Sequence, residues 1–133
     1  MIVTITLNPS IDISCRCQHV SPDRKLRCRE VRFQPGGGGI NVCRVVQELG
    51  GKASAIWLSG GDSGHTLQRL LREEEVSGEA VEIDGEVRHS LYVAEDASDR
   101  AYRFVLPGPE VSREELDRVG RRLEALDDVE YLV

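Results

Sequence analysis

Four consecutive glycines, Gly36 to Gly39, stand between a proline and a run of helical periodicity, and they constrain the chain more than any other stretch. Without Cβ atoms they let the backbone meet a neighbouring strand or a ligand at close range. Each costs up to about 1 kcal/mol of extra ordering entropy relative to alanine. From Ile40 the apolar residues Ile40, Cys43, Val46 and Leu49 recur at helical spacing, and Gly50-Gly51 close the helix. Asn41 then falls in the first turn, where free N–H groups and the positive end of the helix dipole favour an anionic or polyhydroxylated ligand. Two familiar nucleotide motifs fail here. Ile40-Asn41 stand where a phosphate loop needs Lys-Ser/Thr, and Asn41 occupies the last glycine of a dinucleotide fingerprint. The bland reading is a turn that only lets a helix pack on a sheet.

The 133 residues suffice for one core and are too few for two ordinary domains. A formal net charge of −6 argues against general affinity for nucleic acid or anionic membrane, and no window has the length of an apolar span. The N-terminus, Met1 to Leu7, lacks the basic region and cleavage site of a secretory signal and reads as a first strand, which places the expected location in the cytoplasm. Cys15, Cys17, Cys28 and Cys43 show no Cys-x-x-Cys spacing and read as thiols. Cys15 and Cys17 would share a strand face, with Cys28 and His19 as conceivable soft-metal neighbours, but small apolar filling is the reading taken.

Ile2 to Leu7 is a β-branched run suited to a buried parallel strand. Asp12 would lie just past its C-terminal end, where open α/β sheets place ligand-binding residues, although a turn carboxylate fits the spacing equally well. Residues 13 to 33 read as a hairpin around Ser21-Pro22-Asp23. Between 16 and 32, six cations (Arg16, Arg24, Lys25, Arg27, Arg29, Arg32) oppose Asp23 and Glu30, leaving a local charge of +4. That reversal fits either a phosphate-bearing small ligand or a solvated strand face. Ala53 to Leu58 reads as a second buried strand and Gly60 to Gly64 as a loop. Asp62 or Ser63 would cap a helix bearing Leu67, Leu70 and Leu71, with His65 on its surface. Val81 to Ile83, Ser90 to Ala94 and Tyr102 to Leu106 read as strands, the last two as a second hairpin. Arg88 and Arg103 stand at the start of and within it, with side chains suited to bidentate phosphate recognition or to plain exposure. Ser112 to Glu115 form a capping box for a helix with Leu116, Val119, Leu123 and Leu126, and Tyr131 to Val133 begin a further buried strand. The chain is expected to be the front part of a longer protein.

The stretches Thr6-Leu7-Asn8-Pro9-Ser10-Ile11-Asp12, Lys25-Leu26-Arg27-Cys28, Pro35 to Val42, Leu49-Gly50-Gly51, Gly60 to Gly64 and Tyr102 to Gly108 together resemble the N-terminal part of a PfkB-type sugar kinase of the ribokinase superfamily, most like its phosphofructokinase-B group. The resemblance spans the chain. It implies an α/β, Rossmann-like ribokinase fold, of which residues 1–133 form the N-terminal half. Segments near 13–33 and 88–106 would form a small projecting β-sheet lid that doubles as a homodimer interface. It implies that Asp12 holds sugar hydroxyls, that Gly37, Gly38 and Asn41 cradle the sugar, that Arg88 and Arg103 meet its phosphate, and that Lys25 is a lid lysine near the site. The implied reaction transfers phosphate from Mg-ATP to fructose 6-phosphate, giving fructose 1,6-bisphosphate. Fructose 1-phosphate or tagatose 6-phosphate kinase, or a non-catalytic sugar-phosphate-binding or pairing module, are the alternatives. The Gly-Ala-Gly-Asp motif that carries the family's catalytic aspartate does not occur in these residues, so no catalytic residue is assigned and the 133 residues alone are expected to transfer no phosphate.

Overall fold

The β-branched run at the N-terminus forms β1 (Ile2–Thr6), and in the computed structural model, which describes residues 1–133, it lies inside a parallel sheet. The sheet has the order β5-β4-β1-β8, with β4 (Ala53–Ser59), β5 (Gly78–Glu82) and β8 (Tyr131–Leu132) all parallel to their neighbours. Alternation along β4 divides the core between the two faces. Ala53, Ala55 and Trp57 meet Ile40 and Cys43 of α1 (Gly38–Glu48) and Leu67, Leu70 and Leu71 of α2 (Gly61–Glu73). Ile56 and Leu58 meet Val3, Val81 and Val119, the last from α3 (Arg113–Glu124).

A second sheet, of order β3-β2-β6-β7, uses β2 (Ser10–Cys17), β3 (Arg29–Gly36), β6 (Arg88–Glu95) and β7 (Ala101–Val105). The two segments expected to form hairpins do so, β2 with β3 and β6 with β7, and a parallel β2–β6 pairing from Ser10↔Arg88 to Cys17↔Glu95 joins them. Asp96, just past β6, is bonded by Arg16 and Arg29 and so ties the hairpins together at their far end. Those arginines, Arg29 first, hold the Asp96 carboxyl below the usual carboxylate range.

Several expectations change. Asp12 follows the end of β1 but sits inside β2 and not in a turn, because Ser10, Asp12 and Ser14 alternate with Ile11, Ile13 and Cys15, the period of a half-buried strand. β3 runs past residue 33, the expected end of its hairpin, through Pro35 to Gly36, with Ile11 opposite Pro35; as an edge strand it tolerates a residue without an N–H. Neither Asp62 nor Ser63 caps α2. Its N-cap is Gly60, and the carboxylate of Glu86 reaches across to accept from the Asp62 and Ser63 amides at 3.2 and 3.1 Å and from the Ser63 hydroxyl. These bonds, the Ser63 hydroxyl foremost, lower the Glu86 pKa. Leu49 and Leu116 are exposed and not in the core, and β8 lies at the edge of the sheet that residues 1–133 form. The Ser112–Glu115 capping box forms as expected.

Cys15 and Cys17 are buried beside Val93, and all four cysteines are free thiols. Burial, followed by the adjoining Cys28 thiol, pushes Cys15 up to about 11, which makes it a poor nucleophile and metal ligand at neutral pH. No three His, Cys, Asp or Glu side chains are placed to hold a metal ion. No helix is long and apolar enough to cross a membrane.

Candidate functional site

Strand β1 ends beneath the glycine run, and this junction builds one wall of the site. Helix α1 begins at N-cap Gly37, whose φ of +134° is open to glycine and strained for other residues. The next-but-one residue, Gly39, lies so near β1 that a Cβ there would stand 2.6 Å from the Ile5 carbonyl oxygen. With no side chain at its N-cap, α1 takes its cap from the sheet: the Thr6 hydroxyl accepts from the Ile40 amide at 3.0 Å. Asn41 follows in the first turn, its N–H bonded to the Gly37 carbonyl at 2.9 Å, and its amide group is exposed.

The second sheet builds the facing wall. In-register partners project from the same face of a sheet, so Ser10, Asp12 and Ser14 of β2 share a face with Arg88, Ser90 and Tyr92 of β6, and with Arg103 of β7 opposite Tyr92. This polar face and the start of α1 enclose a cavity of about 520 Å³. Asp12, Gly37, Gly38, Asn41, Arg88 and Arg103 all line it. Lys25 does not: it lies in the exposed stretch between β2 and β3, outside the lining.

Within the cavity the ionisable groups are held differently. The Ser10 hydroxyl donates to Asp12 Oδ1 at 2.6 Å, which turns the carboxylate over Gly36. Arg88 is half-buried and anchored by Asn8 and Ser90. Arg103 is exposed, with its guanidinium carbon 5.4 Å from the centre of the Tyr92 ring, within cation–π range. One carboxylate and one carboxamide thus lie toward the glycines, and two guanidiniums stand on the neighbouring strands. That arrangement can accept hydrogen bonds from hydroxyls through Asp12 and Asn41 and donate to an anion through Arg88 and Arg103.

A model of the pfkB family of carbohydrate kinases matches residues 4–133. The chain belongs to the pfkB carbohydrate kinase family. It is 42% identical over 111 residues to ATP-dependent 6-phosphofructokinase isozyme 2 of Mycobacterium tuberculosis, covering 84% of this chain and 33% of that protein. Against the isozyme of the same name from Escherichia coli it is 39% identical over 132 residues, 99% of this chain and 43% of the relative. The crystal structure of E. coli phosphofructokinase-2 in complex with fructose-6-phosphate superposes with a TM-score of 0.89 at 39% identity, covering 96% of this chain and 42% of that one. The chain therefore spans less than half the length of these relatives. As a member of the pfkB family it has the mixed α/β ribokinase-type fold expected from the resemblance.

Reading the sequence missed Asn8, Ser10 and Ser90 as members of the site. The two-residue alternation of polar side chains at 10, 12 and 14 and at 88, 90 and 92 carries the signal for the serines, since both runs put every second residue on one face. Asn8 left no such signal, because its partner Arg88 is 80 residues away in the chain.

Proposed function

We propose that these residues form the acceptor-binding part of an ATP-dependent kinase that phosphorylates fructose 6-phosphate to fructose 1,6-bisphosphate. The single observation that carries this reading is the convergence of Asp12, Gly37, Gly38, Asn41, Arg88 and Arg103 on one cavity with its carboxylate and cations on separate strands. The relatives named above support the choice of sugar. In this reading Asp12 and Asn41 bind hydroxyls, the Gly37–Gly38 backbone lets the ring approach, and Arg88 and Arg103 hold the 6-phosphate, which leaves the far end of the sugar presented for phosphorylation. Lys25 would approach only if its exposed loop closed over the ligand. Mg-ATP would be the donor in the full-length kinase. The donor atoms here do not suit a divalent ion, because no carboxylate or imidazole cluster forms, so no step is assigned to the metal by these residues. A cytoplasmic location belongs to the same proposal.

Titration of the 133-residue chain with fructose 6-phosphate tests the reading. Saturable binding at one site per chain is expected, with fructose binding more weakly. Absence of saturable binding would sink it.

We also propose that the second sheet, made of segments near 13–33 and 88–106, is a lid that pairs with a second copy. Phe33, Ile13, Leu91 and Phe104 are successive register partners across all four strands and so form a continuous apolar row on the face opposite Asp12. Phe33 and Phe104 at its ends are 51% and 54% exposed. A small sheet whose apolar face is left open at both edges gains stability by covering it. Sedimentation is expected to show a dimer that Phe104→Asp converts to monomer; a monomeric parent chain would contradict the proposal.

A further inference from the structure

The guanidinium of Arg88 is held on three sides. Its Nε donates to Asn8 Oδ1 at 3.1 Å, its Nη2 to the Asn8 main-chain carbonyl at 3.5 Å, and its Nη1 to Ser90 Oγ at 3.0 Å. A guanidinium carries five N–H donors. The three contacts leave one on each terminal nitrogen, a fork suited to two oxygens of one phosphate. Asn8 itself comes from the short connection between β1 and β2, the only link between the two sheets before α1. Its amide fits against Gly108 so closely that a Cβ on that glycine would stand 2.2 Å from Asn8 Oδ1. Three segments distant in sequence thus meet at one side chain: the exit from β1, the start of β6 and the turn after β7.

We propose that Asn8 is the positioning residue for Arg88, fixing its guanidinium so that the two remaining N–H groups face the phosphate of the sugar. The inference rests on the sugar-phosphate reading above. A long arginine side chain otherwise samples many rotamers, and ordering it on binding carries an entropic cost. Anchoring it beforehand removes part of that cost from ligand binding. Asn8 touches no sugar atom in this account; it acts through Arg88 alone.

The test uses the 133-residue chain labelled with nitrogen-15, and titrations with fructose 6-phosphate, fructose and inorganic phosphate. In the unsubstituted chain the Arg88 Nε–H signal should be sharp without ligand, and in Asn8→Ala it should broaden or exchange away. Asn8→Ala should weaken fructose 6-phosphate and inorganic phosphate about fivefold, as expected when one long side chain has to be ordered on binding, and leave fructose unchanged. Gly108→Ala, whose methyl displaces the same amide, should reproduce that loss. In the Arg88→Ala background, Asn8→Ala should cost nothing further, because the effect runs through one group. Unaltered affinity in both variants, equal losses for fructose and its phosphate, or additive losses in the double variant would overturn the inference while leaving the sugar-phosphate reading standing. Absence of any fructose 6-phosphate binding by the unsubstituted chain would overturn that reading and this inference with it.

Discussion

Gly39→Ala is expected to cost about 3 kcal/mol or more of folding stability, because its methyl has nowhere to go. The added carbon would meet the Ile5 carbonyl oxygen at 2.6 Å, the Thr6 hydroxyl at 2.7 Å and the Ile5 carbonyl carbon at 2.9 Å. Two of those three atoms belong to the backbone of a central strand and cannot rotate aside. Moving α1 outward instead would break the Thr6–Ile40 cap, which is buried. Gly38→Ala one residue earlier should behave oppositely. A Cβ there has no atom within 4 Å, and an alanine near the start of a helix is worth a few tenths to about 1 kcal/mol over glycine. Its methyl would nevertheless enter the rim of the cavity. Urea denaturation should therefore find Gly38→Ala as stable as the parent or slightly more so, while its affinity for fructose 6-phosphate falls. If both substitutions destabilised the fold equally, the glycine run would serve packing alone.

Arg103→Ala should weaken fructose 6-phosphate by about tenfold or more, since a hydrogen bond to a charged group is worth roughly 1.5–3 kcal/mol and 1.4 kcal/mol is a factor of ten. Fructose itself should bind nearly as before. The guanidinium is exposed, makes no ion pair, and has only the Tyr92 ring beside it, so its loss disturbs no buried partner. Asp12→Ala should weaken both sugars alike, because a carboxylate held by Ser10 serves hydroxyls and not phosphate. Calorimetric titration of both ligands against both variants separates the roles. Equal losses for fructose and fructose 6-phosphate in Arg103→Ala would make the arginine structural and remove the main physical support for a phosphosugar.

The helical and parallel-strand parts were legible because their signals are local. Period-3.6 leucines at 67, 70 and 71, the β-branched run at the N-terminus and the Ser112–Glu115 box each announce an element from a few adjacent residues. The cap of α2 and the length of β3 were not legible because the deciding partner lies far along the chain. Glu86 takes over the cap of α2 from 23 or 24 residues away. Pro35 stays in a strand because β3 turns out to be an edge. Leu49 and Leu116 fit the apolar period, yet both are exposed, and Leu49 is the C-cap that follows the last residue of α1. The site shows the same division. Glycines, Asn41 and the arginines stand out as residue types in motifs, whereas the serines that orient Asp12 and Arg88 are ordinary strand residues until the register is known. Lys25 was reached by motif alone, and an exposed loop carries it away from the cavity.

The central claim is that the cavity between the α1 terminus and the second sheet receives a sugar phosphate. Amide and arginine side-chain NMR signals of the 133-residue chain, followed through a titration with fructose 6-phosphate, test it most directly. Saturable shifts are expected at Asp12, Gly37, Gly38, Asn41, Arg88 and Arg103, with the outer face of α3 unaffected. Shifts centred on the exposed arginines of α3, or spread evenly without saturation, would contradict it.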